Sequence, residues 1–206
     1  MRPSKRKLHM RELWLARNTI IEMLNERGYS SSNMPLDYAS FVSQFPNAEN
    51  NPSTLNFVCS KDQPFAVHFT SEDKLSKKSL ETLTNEYAAQ GIANVILITS
   101  AKLNPACKVL MKSIKLNLEH FLVEELQFNI TKHHLVPKHR IMSESEQKEL
   151  LNKLKCEMSN LPTILTTDPV CRFFGAKAGV IFEITRNSQT AGTALYYRVV
   201  REPGPK

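Results

Sequence analysis

Hydrophobic positions change period several times along this chain, and each change marks an element. From about Leu8 to Arg27, the apolar residues Met10, Leu13, Trp14, Ile20, Ile21 and Leu24 recur near the 3.6-residue helical period. Gly28 follows as a stop. A short helix is expected over Asp37–Gln44, ending before Pro46. Leu55–Cys59 and Phe65–Thr70 read as two strands joined by Ser60-Lys61-Asp62-Gln63. Leu80, Leu83 and Tyr87 mark a helix that ends at Gly91. Val95 to Ile98 is an unbroken apolar run, the pattern of a strand covered on both faces. Asn104-Pro105 starts another helix, with Ala106, Val109, Leu110 and Ile114 on one side. The strand–helix–strand order from Phe65 to Thr99 implies a parallel pair with a right-handed crossover, so the N-terminal half is α/β. Leu116 to Ile130 is expected to supply further extended structure.

The pattern then breaks. Thr131–Ser143 is polar, histidine-rich and interrupted by Pro137, which makes it the expected joint between two domains. The division is therefore residues 1–131, a linker over 132–142, and residues 143–206. Ser143 and Glu146 have capping-box spacing, and the helix they start should run to about Cys156 with Leu150, Leu151 and Leu154 facing inward. Further on, Asp168-Pro169 reads as another helix start: the carboxylate accepts from free N–H groups, and proline has no N–H to lose. Gly175 can end that helix in the left-handed conformation. Gly179 leads into a strand, Val180 to Arg186, with Val180, Phe182 and Ile184 on one face. The loop Asn187–Thr193 returns the chain into Leu195 to Val200, rich in aromatic and β-branched residues.

Charge changes the picture only at the N-terminus. The net charge is +7, and residues 1–17 hold six basic side chains (Arg2, Lys5, Arg6, Lys7, Arg11, Arg17) against the single acid Glu12. Such an arm can touch phosphates through counterion release, or can be a solvated terminus. No apolar run approaches the roughly 20 residues needed to span a bilayer. The basic start lacks an apolar core and cleavage site, so no secretory signal is expected. Cys59, Cys107, Cys156 and Cys171 are scattered without a CxxC pair, which argues against a zinc site or disulfide framework.

The C-terminal third also resembles a known family. The run DPV-x-R-x-FG from Asp168 to Gly175, the Gly179 turn, Arg186, Ser188-x-Thr190-Ala191-Gly192 and Tyr197-Arg198 are similar to the signature of one RNA polymerase subunit. It is the small subunit shared by the eukaryotic nuclear RNA polymerases, fifth in size order, which has a counterpart in the archaeal enzyme. Upstream, Phe128-Asn129-Ile130-Thr131, Leu135-Val136-Pro137-Lys138-His139, Glu149-Leu150-Leu151 and Leu161-Pro162 continue the likeness, which is looser over the first two-thirds of the chain. It implies a non-catalytic subunit with an α/β N-terminal jaw domain of nuclease-like fold, without a nuclease site, and a small α+β C-terminal assembly domain with a mixed sheet. It further implies docking on the largest polymerase subunit among other polymerase subunits, with the jaw beside downstream double-stranded DNA.

On this reading Asp168, Pro169, Arg172, Gly175, Gly179, Arg186, Ser188, Thr190, Ala191, Gly192, Tyr197 and Arg198 form or shape the assembly surface. Lys5, Arg6, Lys7 and Arg11 are the candidate DNA-backbone contacts. No catalytic residue, metal, cofactor, membrane or free homo-oligomer is expected. The chain departs from the family at Ala178, Thr193 and Thr163, where basic residues are usual, and at Gln189, usually glutamate. A divergent copy from a large DNA virus with its own polymerase, such as African swine fever virus, fits these departures; it would work in the host cytoplasm and travel in the virion. A cellular, nuclear polymerase is the competing source.

Three constellations invite a chemical reading. His133, His134 and His139 have no acid or cysteine at ligand spacing beside them, and linker histidines are the simpler account. Asp62 and Glu72-x-Lys74 resemble the acid–acid-x-lysine arrangement of restriction-type nucleases, but Asp62 falls in a turn ahead of the strand. The Ser188–Gly192 loop lacks the spacing of a phosphate loop, and a tight turn in which Gly192 permits close backbone approach explains it better. Three classes of function remain: polymerase subunit, metal-dependent nuclease of related fold, and dissociable transcription factor.

Overall fold

The computed structural model describes residues 8–29, 33–60, 63–70, 75–188 and 192–204, with the backbone alone at positions 112, 187 and 188. Two compact units divide the chain, Met1–Phe128 and Asn129–Lys206.

In the first unit, α1 (Met10–Glu26) buries Leu13, Ile20, Ile21 and Leu24, as the helical period predicts. Arg17 is buried with them, so the basic arm loses that side chain as a phosphate contact. Its guanidinium lies 4.9 Å from the Phe45 ring centroid and 5.5 Å from that of Phe57. One nitrogen, Nη2, donates to Asn33 Oδ1 at 2.8 Å, while Nε and Nη1 have no partner among the described residues. Asp37 caps α2 (Tyr38–Gln44) by accepting from the Ser40 N–H. Strands β1 (Phe57–Ser60) and β2 (Pro64–Phe69) pair antiparallel. Helix α3 (Lys77–Ala89) then crosses to β3 (Asn94–Thr99), which is parallel to β2. Helix α4 (Pro105–Ser113), capped by Asn104, leads to β4 (Asn117–Leu122), parallel to β3. The sheet order is β1-β2-β3-β4.

Both faces of β3 are covered, which is why its apolar run is continuous. Leu97 packs with Leu75, Leu80 from α3, Leu103 and Cys107 from α4. On the opposite face Ile96 neighbours Glu119 of β4, and Glu119 pairs with Arg27 at the end of α1 through two 2.8 Å contacts. Leu116–Ile130 is only partly extended: after β4 the chain folds into two 3-10 turns, Val123–Leu126 and Ile130–Lys132.

In the second unit, β5 (Lys138–Ile141) pairs antiparallel with β7 (Ile181–Ser188). The segment 132–142 is therefore not a free joint; its second half is an edge strand, and the boundary between units falls at 128/129. Helix α5 (Glu144–Leu154) starts with the expected capping box, the Ser143 N–H donating to Glu146 Oε2 at 2.7 Å. Leu150 is buried, but Leu154 turns out to solvent, correcting its inward assignment. β6 (Thr163–Leu165), which the hydrophobic pattern does not announce, is parallel to β8 (Gly192–Arg201). β7 and β8 pair antiparallel from Ile181↔Val199 to Ser188↔Gly192, so both strands run further into the Asn187–Thr193 loop than expected. The order β5-β7-β8-β6 makes the sheet mixed.

One face of this sheet packs Ile181 and Val199 against Met142 and against Leu150 of α5. The other packs Phe182, Ile184 and Val200 against Ile164 and Cys171 of α6 (Pro169–Phe174). Gly192 has φ +68°, a conformation that side chains with a Cβ rarely adopt. A Cβ there would meet no atom of the described residues within 4 Å, and the left-handed backbone is what calls for glycine.

Candidate assembly interface

Helix α6 has six residues, and its length sets the geometry of the surface beside it. Asp168 accepts from the Val170 N–H at 2.8 Å, Pro169 fills the first turn, and Gly175 ends the helix at φ +62°. So short a helix covers the Phe182–Val200 end of the sheet and leaves the outer end open. There Ile184 and Arg186 from β7 lie alongside Tyr196 and Arg198 from β8 as the floor of a groove of about 340 Å³. Leu135, Val136 and Pro137 form one wall, Ile164, Asp168 and Val170 the other, and His139 closes the lining. A second hollow of about 440 Å³ adjoins it, sharing Leu135–Pro137 and Arg186 and adding His134, Lys138 and Thr193.

The groove is amphipathic. Leu135 is 75% exposed and Tyr196 48%, large for apolar and aromatic side chains in a folded unit. The Arg186 guanidinium stacks 6.0 Å from the Tyr196 ring centroid. His139 sets its ring edge against Phe182, 5.7 Å between centroids. Its Nδ1 meets the Pro137 carbonyl at 2.7 Å, and since a carbonyl only accepts, Nδ1 carries the hydrogen. Burial lowers the His139 pKa, opposed by that carbonyl and by Asp168, and Arg198 lowers it further. The charge of the groove is set by two arginines against the single carboxylate of Asp168. Such a lining suits an extended partner segment carrying apolar side chains and carboxylates.

Asp168, Arg186 and Arg198 come together in the groove. Tyr197 faces the other way and packs against the Met142 and Leu150 cluster. Arg172 is half-buried on α6, and the Gly179 N–H donates to the Val200 carbonyl at 2.9 Å, shaping the turn rather than a contact surface. The Ser188 backbone pairs with Gly192, whereas Thr190 and Ala191 lie outside the described residues. Arg11 is exposed on α1; Lys5, Arg6 and Lys7 lie outside the described residues, as do Asp62, Glu72 and Lys74. His133 and His134 stack on each other at 4.6 Å, and among the described residues no three His, Cys, Asp or Glu could hold a metal.

Tyr196 and Ile164 were missed, although strand alternation from Arg198 and Arg186 would have found the first. A further miss lies in the first unit. Residues 94–118 carry four lysines, Lys102, Lys108, Lys112 and Lys115, and no acid. Lys102, Lys108 and Lys115 are exposed on and beside α4.

Comparison with known proteins gives this arrangement its family. The RNA polymerase Rpb5 C-terminal domain matches residues 128–200, and the Rpb5 N-terminal domain matches residues 7–87. The chain belongs to the RNA polymerase Rpb5 family, which are non-catalytic subunits of multisubunit DNA-directed RNA polymerases. It is similar to the "DNA-directed RNA polymerases I, II, and III subunit RPABC1" of Caenorhabditis briggsae, 34% identical over 200 residues, covering 91% of this chain and 95% of that one. The Caenorhabditis elegans protein of the same name gives the same figures. The Dictyostelium discoideum protein is 33% identical over 193 residues, 89% of this chain and 94% of its own.

Proposed function

We propose that this polymerase subunit docks on the largest subunit through its C-terminal unit and acts as a jaw beside downstream duplex DNA through its N-terminal unit. The observation that carries the docking is the groove left open by α6, with Arg186, Arg198 and Tyr196 on its floor. The jaw reading draws support from the β2–α3–β3 crossover in a four-stranded mixed sheet, the kind of core that nuclease-like folds share. DNA contact draws support from the exposed lysines of α4 and its flanks, for which no ion pair occurs among the described residues. Lysines on a helix with few aromatic or amide partners suit phosphates and carry no base readout.

The named relatives are cellular subunits of polymerases I, II and III, which favours a nuclear polymerase and service in more than one enzyme. Against that stand the losses at Ala178, Thr193 and Thr163, which favour the viral source with its cytoplasmic and virion locations. Purification of the tagged chain tests the function. Stoichiometric recovery in a salt-stable polymerase supports it, and recovery in trace amounts would mean a dissociable factor instead. Duplex binding by the chain tests the jaw. Changing Lys102, Lys108 and Lys115 to alanine should lower the slope of log affinity against log salt by about 0.9 for each phosphate no longer neutralised. An unchanged slope removes this surface from the DNA path.

A further inference from the structure

Resting on the reading of a subunit docked through its C-terminal unit, we propose that the open edge of β8 over residues 192–198 is a strand-addition site. An extended acidic segment of another polymerase subunit pairs there as a fifth strand. β7 pairs with β8 from Gly192 to Val199, whereas β6 reaches only Val199 to Arg201. Among the described residues no strand lies along the other edge of 192–198.

Three hydrogen bonds set which backbone groups face that edge. The Val200 N–H donates toward β7, to the Val180 carbonyl at 2.9 Å. The Val199 N–H donates the other way, to the Pro162 carbonyl at 2.9 Å, and the Arg201 carbonyl accepts on that same side from the Thr166 N–H at 2.9 Å. Alternation along the strand then turns the N–H and C=O groups of Thr193, Leu195 and Tyr197 outward. Edges of this kind are normally blocked by lysine, proline or a bulge, because unpaired ladders recruit other chains. Residues 192–197 read Gly-Thr-Ala-Leu-Tyr-Tyr, with no charge and no proline, and Leu195 is 52% exposed. An unblocked edge in a subunit that must meet partners is a template for strand addition.

Charge selects the occupant. On the groove face, a strand laid beside β8 sends alternate side chains past Arg198 and toward Arg186 beyond Tyr196. Carboxylates at those positions would be matched, and lysines repelled. The second unit holds 12 Lys and Arg against 7 Asp and Glu, so a second copy would bring one basic unit against another. An acidic strand from a different subunit is the better complement.

The test is hydrogen exchange read residue by residue on the free chain and on the purified polymerase containing it. On assembly the amides of Thr193, Leu195 and Tyr197 should slow by at least about tenfold, and those of Ala194 and Tyr196, already bonded to β7, by less. Leu195→Pro removes an outward N–H that meets only water in the free chain, as proline at an edge permits. It should lower recovery with the polymerase by about tenfold while the free variant unfolds near the wild-type temperature. If Leu195→Pro misfolds, the wild-type exchange decides alone. Full recovery of wild type with unchanged exchange at the three amides overturns strand addition and leaves the docking reading standing. Failure of wild type to copurify overturns both, and slowing that grows with concentration of the free chain makes the occupant a second copy, overturning the acidic partner strand.

Discussion

Strands β3 and β8 use similar residues to opposite ends. In β3, Val95, Ile96, Leu97, Ile98 and Thr99 are all buried, because both faces are covered and strands lie on both edges. In β8, only Val199 and Val200 are buried among ten residues, although Leu195, Tyr196 and Tyr197 have as strong a strand preference. The difference lies in coverage. A 13-residue and a nine-residue helix shield the first sheet, while a six-residue helix shields one end of the second. Apolar strand residues that stay exposed after folding are available to a partner. In this contrast the N-terminal sheet is a closed core, and the C-terminal sheet keeps an exposed end, the surface proposed for docking.

Substitutions at matched positions should break the symmetry most visibly. Ile96→Ala empties a fully buried site and should cost about 2–5 kcal/mol in denaturant unfolding of the first unit. Tyr196→Ala should cost less than about 0.5 kcal/mol in the free chain, since a half-exposed side chain loses little burial. Equal losses would mean that the outer end of β8 is a core after all.

Arg17 is the exception inside the closed unit, and its effect should have the opposite sign. A guanidinium buried with two nitrogens unpartnered among the described residues gives up hydration without recovering it in hydrogen bonds. Phe45 and Phe57 offset part of that loss. Arg17→Met keeps the stem and removes the charge, so it should raise stability by about 1 kcal/mol, measured by urea unfolding. A fall of that size would show that the cation is well compensated.

A smaller difference should appear with pH. His68 Nδ1 lies 3.0 Å from the Tyr87 hydroxyl and 3.1 Å from Asn56 Nδ2, and burial lowers its pKa from the ordinary 6.5. The unfolded chain therefore binds the proton first. Stability should hold above pH 6.5 and decline as pH falls below it toward the lower folded value. His139 adds a contribution of the same sign in the second unit. His68→Gln should flatten the profile of the first unit alone. A profile unchanged by that substitution would assign the decline elsewhere.

How much of this was legible depended on whether a residue's role is local. Helix starts at Asn104, Ser143 and Asp168 and the continuous run of β3 could be read directly, since their partners are within a few positions. Residues 138–141 looked like a joint because a four-residue edge strand with burial at neither end has no alternating pattern to show. β6 was missed for the same reason, with three residues and a single buried one, Ile164. The groove was half visible. Asp168, Arg186 and Arg198 stood out through the family likeness, but Tyr196 and Ile164 enter only when the short α6 leaves the sheet open beside them. Arg17 was misplaced because charge alone put it in the arm, whereas its position in the apolar stripe of α1 puts it between two rings.

The central claim is that the open end of the C-terminal sheet is the docking surface, and reversing its charge tests this most directly. Arg186→Glu with Arg198→Glu changes two groove-floor side chains that make no hydrogen bond among the described residues, so the free variant should unfold near the wild-type temperature. In cells carrying the tagged variant, recovery of the polymerase should fall by two orders of magnitude or more, roughly the cost of placing two like charges against an acidic partner. Stoichiometric recovery of the folded double variant in a salt-stable polymerase would contradict the account and move the docking surface elsewhere on the chain.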